Sequence, residues 1–191
     1  MSQRPPAVER LFIEGPAGPI EALVEVPESV VPGVLAVCCH PHPLFGGTLQ
    51  NKVVHTLARA ALDLGVPAIR FNFRGVGGSV GEYDHGAGET ADAVAVAAWG
   101  AARFAAPRLW AAGFSFGSFV AYGLAQAQAA ERLVLQGDRD ELVNHESVLD
   151  WTRTVTPPPR VELFEGADHF FHGRITELRE RVRGWLEGRE P

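Results

Sequence analysis

One short segment, Gly113-Phe114-Ser115-Phe116-Gly117, constrains the fold of this chain more than any other. It follows the apolar segment RLWAAG and leads directly into a second apolar segment that extends to Gln128. The pattern G-x-S-x-G arises by chance in glycine-rich chains, but between a strand and a helix it indicates a strained turn that holds a serine above a sheet. Ser115 is therefore the candidate nucleophile. The backbone N–H of Phe116, at the helix N-terminus, is a candidate oxyanion donor.

The order of apolar segments predicts an α/β fold. Two segments separated by a glycine- and proline-containing turn, residues 11–14 and 20–26, predict an antiparallel hairpin at a sheet edge. Short apolar runs typical of strands covered on both faces follow at residues 34–39, 67–73, 108–113, 132–137 and 160–164. Helical segments separate them, which predicts a mostly parallel central sheet with helices on both faces. No insertion is long enough for a cap domain.

Composition favours an ordinary globular chain. A length of 191 residues suits a single domain over residues 1–191, and the net charge of −6 comes without a basic stripe, so nucleic acid is not an expected partner. No apolar run approaches the ~20 residues that span a bilayer, and the N-terminus lacks an apolar signal segment. Cys38 and Cys39 are adjacent in a strand and poorly placed to pair, so we expect a reducing, cytoplasmic setting. The oligomeric state stays open.

A serine hydroxyl needs a base, and the base needs an acid to orient it. His169 follows the last strand and is the preferred base, with His172 as the fallback; His55, His85 and His145 are interpreted as plain surface residues. The turn after RLVLQG offers Asp138 and Asp140 as the acid, and Asp140 is preferred because Asp138 can cap that turn. The resulting chain order is serine, aspartate, histidine, as in α/β-hydrolases.

The loop HPHPLFGGT at residues 40–48 should supply the second oxyanion donor. Pro41 and Pro43 have no N–H, which leaves the amides of His42 and Leu44, and we favour Leu44. His40 and His42 could be taken for metal ligands, but no third ligand lies at a readable spacing, so neither a metal nor another cofactor is expected.

Because no insertion is long enough for a lid, we expect an open site with apolar walls. Its predicted walls are His42, Phe45, Phe114 and Phe170. The glycine-rich run after the strand at residues 67–73 has no evident catalytic chemistry, and Glu89 and Asp92 are interpreted as favourable charges at a helix start.

The segments CHPHPLFGGTLQNKVV, RFNFRGVGGSVGEYDHGAGE, GFSFGS, QGDRDELV and DHFFHGR together resemble a family of small, lidless bacterial α/β-hydrolases, near the dienelactone hydrolases and acyl-protein thioesterases. The resemblance covers nearly the whole chain. It implies a Ser/Asp/His triad at Ser115, Asp140 and His169, and a generic carboxylesterase-like activity without a fixed substrate. Dienelactone hydrolases proper use a cysteine nucleophile, and this sequence departs from them at Ser115.

A second departure concerns length. Ser115 and Asp140 are separated by 25 positions, where the resembling family has two strands and this chain has one, in ERLVLQGDRDE. Either the protein has lost a strand and a loop, or a segment is missing from the sequence. The second alternative, which we favour, predicts consecutive Cα atoms much further apart than ~3.8 Å between Glu131 and Gln136.

These features predict an acyl-transfer enzyme for a small-molecule partner, an ester with a small or short acyl chain. A thioesterase or peptidase using the same triad, and a non-catalytic scaffold, are the alternative interpretations.

Overall fold

The computed structural model describes residues 5–127, 133–156 and 158–187. These residues divide into two compact units, one of residues 5–127 with 179–187 and one of residues 133–156 with 158–178. Each unit contains its own sheet. The prediction of a single domain over residues 1–191 stays a prediction.

The first unit is built on a five-stranded sheet in the order β1-β2-β4-β3-β5. Its strands are β1 (Ala7–Gly15), β2 (Gly18–Val26), β3 (Val34–Cys39), β4 (Ala68–Phe71) and β5 (Arg108–Gly113). Strands β1 and β2 form the predicted antiparallel hairpin, and β2 also pairs antiparallel with β4. Strand β3 pairs in parallel with β4 and with β5, so the carboxyl ends of these three strands meet at one edge.

Helices cover both faces of this sheet. They are α1 (Lys52–Asp63), α2 (Ala87–Phe104) and α3 (Phe116–Ala127). Alternate residues of β3, namely Leu35, Val37 and Cys39, share one buried cluster with apolar side chains of α2 and α3. The residues between them point to the opposite face, where α1 packs on β3 and β4 through its buried apolar side.

The second unit contains a parallel pair of strands, β6 (Leu133–Gly137) and β7 (Arg160–Phe164), with α4 (His145–Thr154) between them in sequence. Helix α5 (Ile175–Glu187) ends the described chain. The predicted break between Glu131 and Gln136 lies partly outside the described residues, because residues 128–132 are not among them. Leu133 to Gln136 belong to the unbroken strand β6.

Cys38 and Cys39 are free and buried in β3. Burial raises the pKa of the Cys38 thiol to about 12 and that of Cys39 well above its usual range. Both thiols are therefore inert at neutral pH. None of the described helices is long and apolar enough to cross a membrane.

Candidate active site

Ser115 lies in the turn between a strand and a helix. Strand β5 ends at Gly113 and α3 begins at Phe116, so Phe114 and Ser115 alone reverse the chain. Ser115 has a φ of 56°, in the left-handed region that residues other than glycine rarely adopt. A conformation of this kind costs about 1–3 kcal/mol and persists only where its surroundings impose it. Strain at the turn between a strand and a helix makes Ser115 a candidate for a functional role.

Two glycines allow the turn to be this tight. A Cβ atom on Gly113 would lie 2.0 Å from the carbonyl oxygen of Gly117, and a Cβ on Gly117 would lie 2.3 Å from the carbonyl oxygen of Cys39. The first turn of α3 therefore packs directly on the end of β3. This close approach is the physical reason for the spacing of the glycines in the motif.

Two backbone amides near Ser115 are available to a ligand. Phe116 is the first residue of α3, and its N–H donates to none of the described residues. The same holds, within the described chain, for the N–H of His42 in the loop after β3. The rings of His42 and Phe116 lie 4.8 Å apart, so the two residues are neighbours. Unsatisfied amides at a helix N-terminus and an adjacent loop are suited to binding a developing oxyanion.

The amide of Leu44, favoured from the sequence, is already engaged. It donates to Nδ1 of His42 over 3.3 Å, because the His42 side chain caps the short 3-10 turn at Pro43–Phe45. An oxyanion would have to break this bond before Leu44 could bind it. The geometry thus favours the amide of His42 over that of Leu44 as the second donor.

His40 fixes the start of this loop. Its Nδ1–H donates to the carbonyl oxygen of Pro41 over 2.6 Å, and the amide of Phe73 donates to its Nε2 over 2.9 Å. The ring is fully buried, and burial lowers the pKa of His40 to about 4 against the opposing effect of the Pro41 hydrogen bond. His40 is therefore a neutral structural bridge at physiological pH.

The far end of the loop is tied to β4. Leu49 donates its N–H to Oδ1 of Asn72 over 2.9 Å and accepts at its carbonyl from Arg70 over 2.7 Å. Arg70 is also paired with Glu25 at 2.7 Å, with both side chains buried. Because both ends are anchored, the position of His42 between them is well defined.

The second unit contains a histidine–aspartate pair. Nδ1–H of His169 donates to Oδ2 of Asp140 over 2.9 Å, and both side chains are 6% exposed. With its proton on Nδ1, the ring leaves Nε2 able to accept one. The backbone amide of His169 also donates to Glu141 over 3.3 Å, which further fixes the residue.

Asp140 is held by several donors. Its carboxylate accepts from Gln136 Nε2 and from the amides of Leu142 and Val143, besides His169. Burial acts to raise the pKa of Asp140, but the hydrogen bonds from His169, Val143 and Leu142 outweigh it and lower the pKa below its usual value. Asp140 is consequently ionised at neutral pH.

The alternatives weighed from the sequence have other partners. Asp138 accepts from the amide of Gly166 over 2.6 Å, which is a turn-capping role. His172 pairs with Asp168 over 2.6 Å on the surface, with 62% of its side chain exposed. The turn after β6 therefore brings Asp140, not Asp138, to His169.

The predicted pocket residues differ in exposure. Phe45 is 86% exposed and contacts the ring of His42, whereas Phe114 is buried at 5%. In the second unit Phe170 is 36% exposed, with its ring 5.0 Å from that of His169. In the described ranges, no three His, Cys, Asp or Glu side chains are grouped in a way that could hold a metal ion.

Sequence reasoning missed Tyr83. Its hydroxyl lies 3.2 Å from Nε2 of His42, and its ring is 5.7 Å from that of Phe116. Tyr83 is 41 positions from His42 in the chain, so no local pattern could reveal the contact. The only signal was the density of glycines around it.

Comparison with known proteins agrees with this architecture. A lidless α/β serine hydrolase from Xanthomonas campestris is 35% identical, each chain is covered completely, and the structures superpose with a TM-score of 0.90. An α/β serine hydrolase homologue from Coxiella burnetii is 39% identical over 93% of this chain and 97% of its own, with a TM-score of 0.85. The chain belongs to the lidless α/β serine hydrolases. As a lidless α/β hydrolase it has the predicted fold class without a cap domain, and its general activity is that of a hydrolase.

No profile of a known family matches the sequence of this lidless hydrolase. An uncharacterized protein of Rickettsia prowazekii is 29% identical over 211 residues, which cover 93% of this chain and 88% of the relative. The alignment is longer than the 191-residue chain, so the relative has residues that this hydrolase lacks. A shortened interval between Ser115 and Asp140 would produce such a difference.

Proposed function

We propose that this hydrolase is a serine esterase that cleaves small or short-chain carboxylic esters through an acyl-enzyme on Ser115. The observation that carries the proposal is the left-handed conformation of Ser115 between β5 and α3. A serine is strained in this way where its hydroxyl must be presented to a substrate. The buried Asp140–His169 pair supplies the other groups that such chemistry needs.

In the proposed mechanism, Ser115, His169 and Asp140 act as a triad. His169 accepts the proton of Ser115 through Nε2 as the serine oxygen attacks the ester carbonyl. Asp140 keeps the other ring proton on Nδ1 and stabilises the imidazolium that forms. His169 then protonates the departing alcohol, and the same base activates water to hydrolyse the acyl-enzyme.

The oxyanion of each tetrahedral intermediate binds the amides of Phe116 and His42 in this mechanism. Both are unengaged among the described residues, and each such donor contributes about 3 kcal/mol to the transition state. Leu44 is the less favoured donor because its amide is bonded to the His42 ring. No step requires a metal or a cofactor.

The proposed substrate range follows from the absence of a cap domain in this family. Without a cap, exposed side chains such as Phe45 would form an apolar wall that suits a short acyl chain. We therefore expect turnover of p-nitrophenyl esters to be highest for short acyl chains and to fall as the chain lengthens. A preference for long-chain esters would contradict the proposed substrate class.

The nucleophile is tested by Ser115→Ala. Its kcat on the best p-nitrophenyl ester is expected to fall by about 10⁴–10⁶-fold, because the bond-forming oxygen is removed. A fluorophosphonate probe should label the native protein and not the variant. Retained turnover or labelling in Ser115→Ala would refute the assignment of the nucleophile.

A further inference from the structure

The glycine-rich loop at residues 74–86 is held in place by several hydrogen bonds to buried carboxylates. Near its start, Glu21 accepts from the amide of Gly78 over 2.8 Å. At its end, the fully buried Glu89 accepts from the amides of Asp84 and Gly86 over 2.9 and 2.7 Å. A buried carboxylate is costly unless its oxygens are satisfied. Here the oxygens of Glu89 are satisfied by the backbone amides on both sides of His85.

A charged pair supports the same loop. Arg74 donates two hydrogen bonds of 2.8 Å to Asp92 of α2, and the carboxylate of Asp92 is 1% exposed. Two-pronged pairs of this kind fix orientation as well as position. The loop so held carries Tyr83, whose ring contacts the rings of His42 and Phe116. These hydrogen bonds and this ion pair therefore fix the position of Tyr83.

The hydrogen bonds of His42 determine where the Tyr83 proton points. A backbone amide can only donate, so the bond from Leu44 to Nδ1 of His42 requires that Nδ1 carries no proton. In a neutral imidazole the proton is then on Nε2. Nε2–H donates to the hydroxyl oxygen of Tyr83 over 3.2 Å. Tyr83 therefore accepts from His42 and keeps its own proton for another acceptor.

No described residue accepts that proton. The hydroxyl of Tyr83 has no bond within the described chain other than the one to His42. The side chain is half-buried beside Phe116, whose amide faces the proposed oxyanion position. A polarised phenol with an unused donor thus lies next to the reacting centre.

We propose that Tyr83 is a substrate-recognition residue whose hydroxyl donates a hydrogen bond to a second oxygen of the substrate, outside the scissile ester group. The preferred substrates are then esters with an ether, hydroxyl or carbonyl oxygen on the acyl or alcohol side, rather than purely alkyl esters. This inference rests on the proposed esterase function. It adds a specificity that neither the triad nor the oxyanion donors supply.

The test compares esters of equal shape that differ by one oxygen. The acyl pair is p-nitrophenyl methoxyacetate and p-nitrophenyl butyrate; the alcohol pair is 2-methoxyethyl acetate and butyl acetate. For each pair the ratio of kcat/KM, oxygenated over alkyl, is measured in the native enzyme and in Tyr83→Phe. Comparing the ratios between proteins cancels the intrinsic reactivity of the esters. The phenylalanine keeps the ring and removes only the hydroxyl.

A neutral hydrogen bond corresponds to about a 2- to 12-fold effect. We expect the ratio of at least one pair to fall by that factor in Tyr83→Phe. Tyr122→Phe is the matched control, because Tyr122 lies on α3 with its hydroxyl bonded to Gln126, and it should leave both ratios unchanged. Unchanged ratios in Tyr83→Phe, or an equal loss on oxygenated and alkyl esters, would overturn the inference.

Ser115→Ala separates this inference from the proposed function. If native activity depends on Ser115 but the ratios do not depend on Tyr83, only the inference fails. If the native protein hydrolyses none of the four esters, or if hydrolysis persists in Ser115→Ala, the proposed function fails and the inference fails with it.

Discussion

Two aspartates in one turn, Asp138 and Asp140, have different roles because their oxygens have different partners. Asp138 caps the loop at Gly166, whereas Asp140 accepts the Nδ1 proton of His169. The distinction matters chemically, since only an acceptor at Asp140 keeps the Nε2 lone pair of the base available. The sequence alone favours Asp140 but does not exclude Asp138. The geometry of the turn after β6 separates them.

Replacing each aspartate by asparagine tests this division. Asp140→Asn can donate from its amide nitrogen, which shifts the His169 proton to Nε2, so we expect kcat to fall by roughly 10³–10⁴-fold. Asp138→Asn is the matched control and should change kcat only a few-fold. Steady-state kinetics on a short-chain p-nitrophenyl ester measure both. Equal losses in the two variants would count against Asp140 as the acid of the triad.

At the scale of elements, the junction of β5 and α3 depends on contact between backbones. Gly117 lies where a Cβ would meet the carbonyl oxygens of Cys39 and His40 at 2.3 and 2.4 Å. Gly184 in α5 is also helical, but nothing lies within 4 Å of the position its Cβ would take. The two glycines therefore make a matched pair for the same substitution.

Alanine should have opposite effects at these two positions. Gly117→Ala must push α3 away from β3, so we expect the free energy of unfolding to fall by about 1–3 kcal/mol. Gly184→Ala should raise it by about 0.5–1 kcal/mol, because alanine favours the helix. Urea unfolding followed by circular dichroism measures both. A Gly117→Ala variant as stable as the native protein would show that the elbow is not sterically constrained.

The elements that the sequence predicted well are those with a local signal. A short segment of consecutive residues contains the whole pattern that predicts each of them: the apolar runs of β3 and β5, the hairpin, and the turn at Ser115. The strand order β1-β2-β4-β3-β5 has no such local signal, because β2 pairs with β4 although β3 and α1 lie between them in the sequence. Glu89 shows the same limit. Its position in the first turn of α2 is predictable, but its bonds to Asp84 and Gly86 depend on the folded loop.

Site residues follow the same rule. His169 and Asp140 were predicted from their places after β7 and β6, since groups at the carboxyl ends of parallel strands tend to be functional. The sequence favours the Leu44 amide without excluding that of His42, since it cannot show that the His42 ring accepts a hydrogen bond from the Leu44 amide. Tyr83 was missed because its partner comes from another loop.

At the scale of the whole molecule, every candidate group follows the carboxyl end of a parallel strand. His42 comes after β3, Tyr83 after β4 and Ser115 after β5 in the first unit; Asp140 and His169 come after β6 and β7 in the second. The loops that follow parallel strands lie at the same edge of a sheet, so the candidate functional groups of each unit lie at the carboxyl edge of its sheet. Stability is carried elsewhere, in the buried faces of the sheet and in bridges such as His40.

His40 links the stability of the molecule to pH. Burial lowers its pKa to about 4 in the folded protein, against an ordinary value of 6.5 in the unfolded chain. Between these values the unfolded chain binds a proton that the folded protein excludes, so the free energy of unfolding must fall as the pH is lowered from 6.5 towards 4. The full window corresponds to a loss on the order of 3 kcal/mol from this one group.

His40→Gln isolates this effect. Its side-chain amide can donate to the Pro41 carbonyl and accept from the Phe73 amide, as the histidine does, but it does not titrate. Urea unfolding of both proteins across this pH range should show curves that converge as the pH falls, because only the native protein loses the His40 contribution. Acidic groups such as Asp140 titrate equally in both proteins and cancel in the difference. Parallel curves would mean that the pKa of His40 is the same in the folded and unfolded states, and that burial of the ring does not disfavour its charged form.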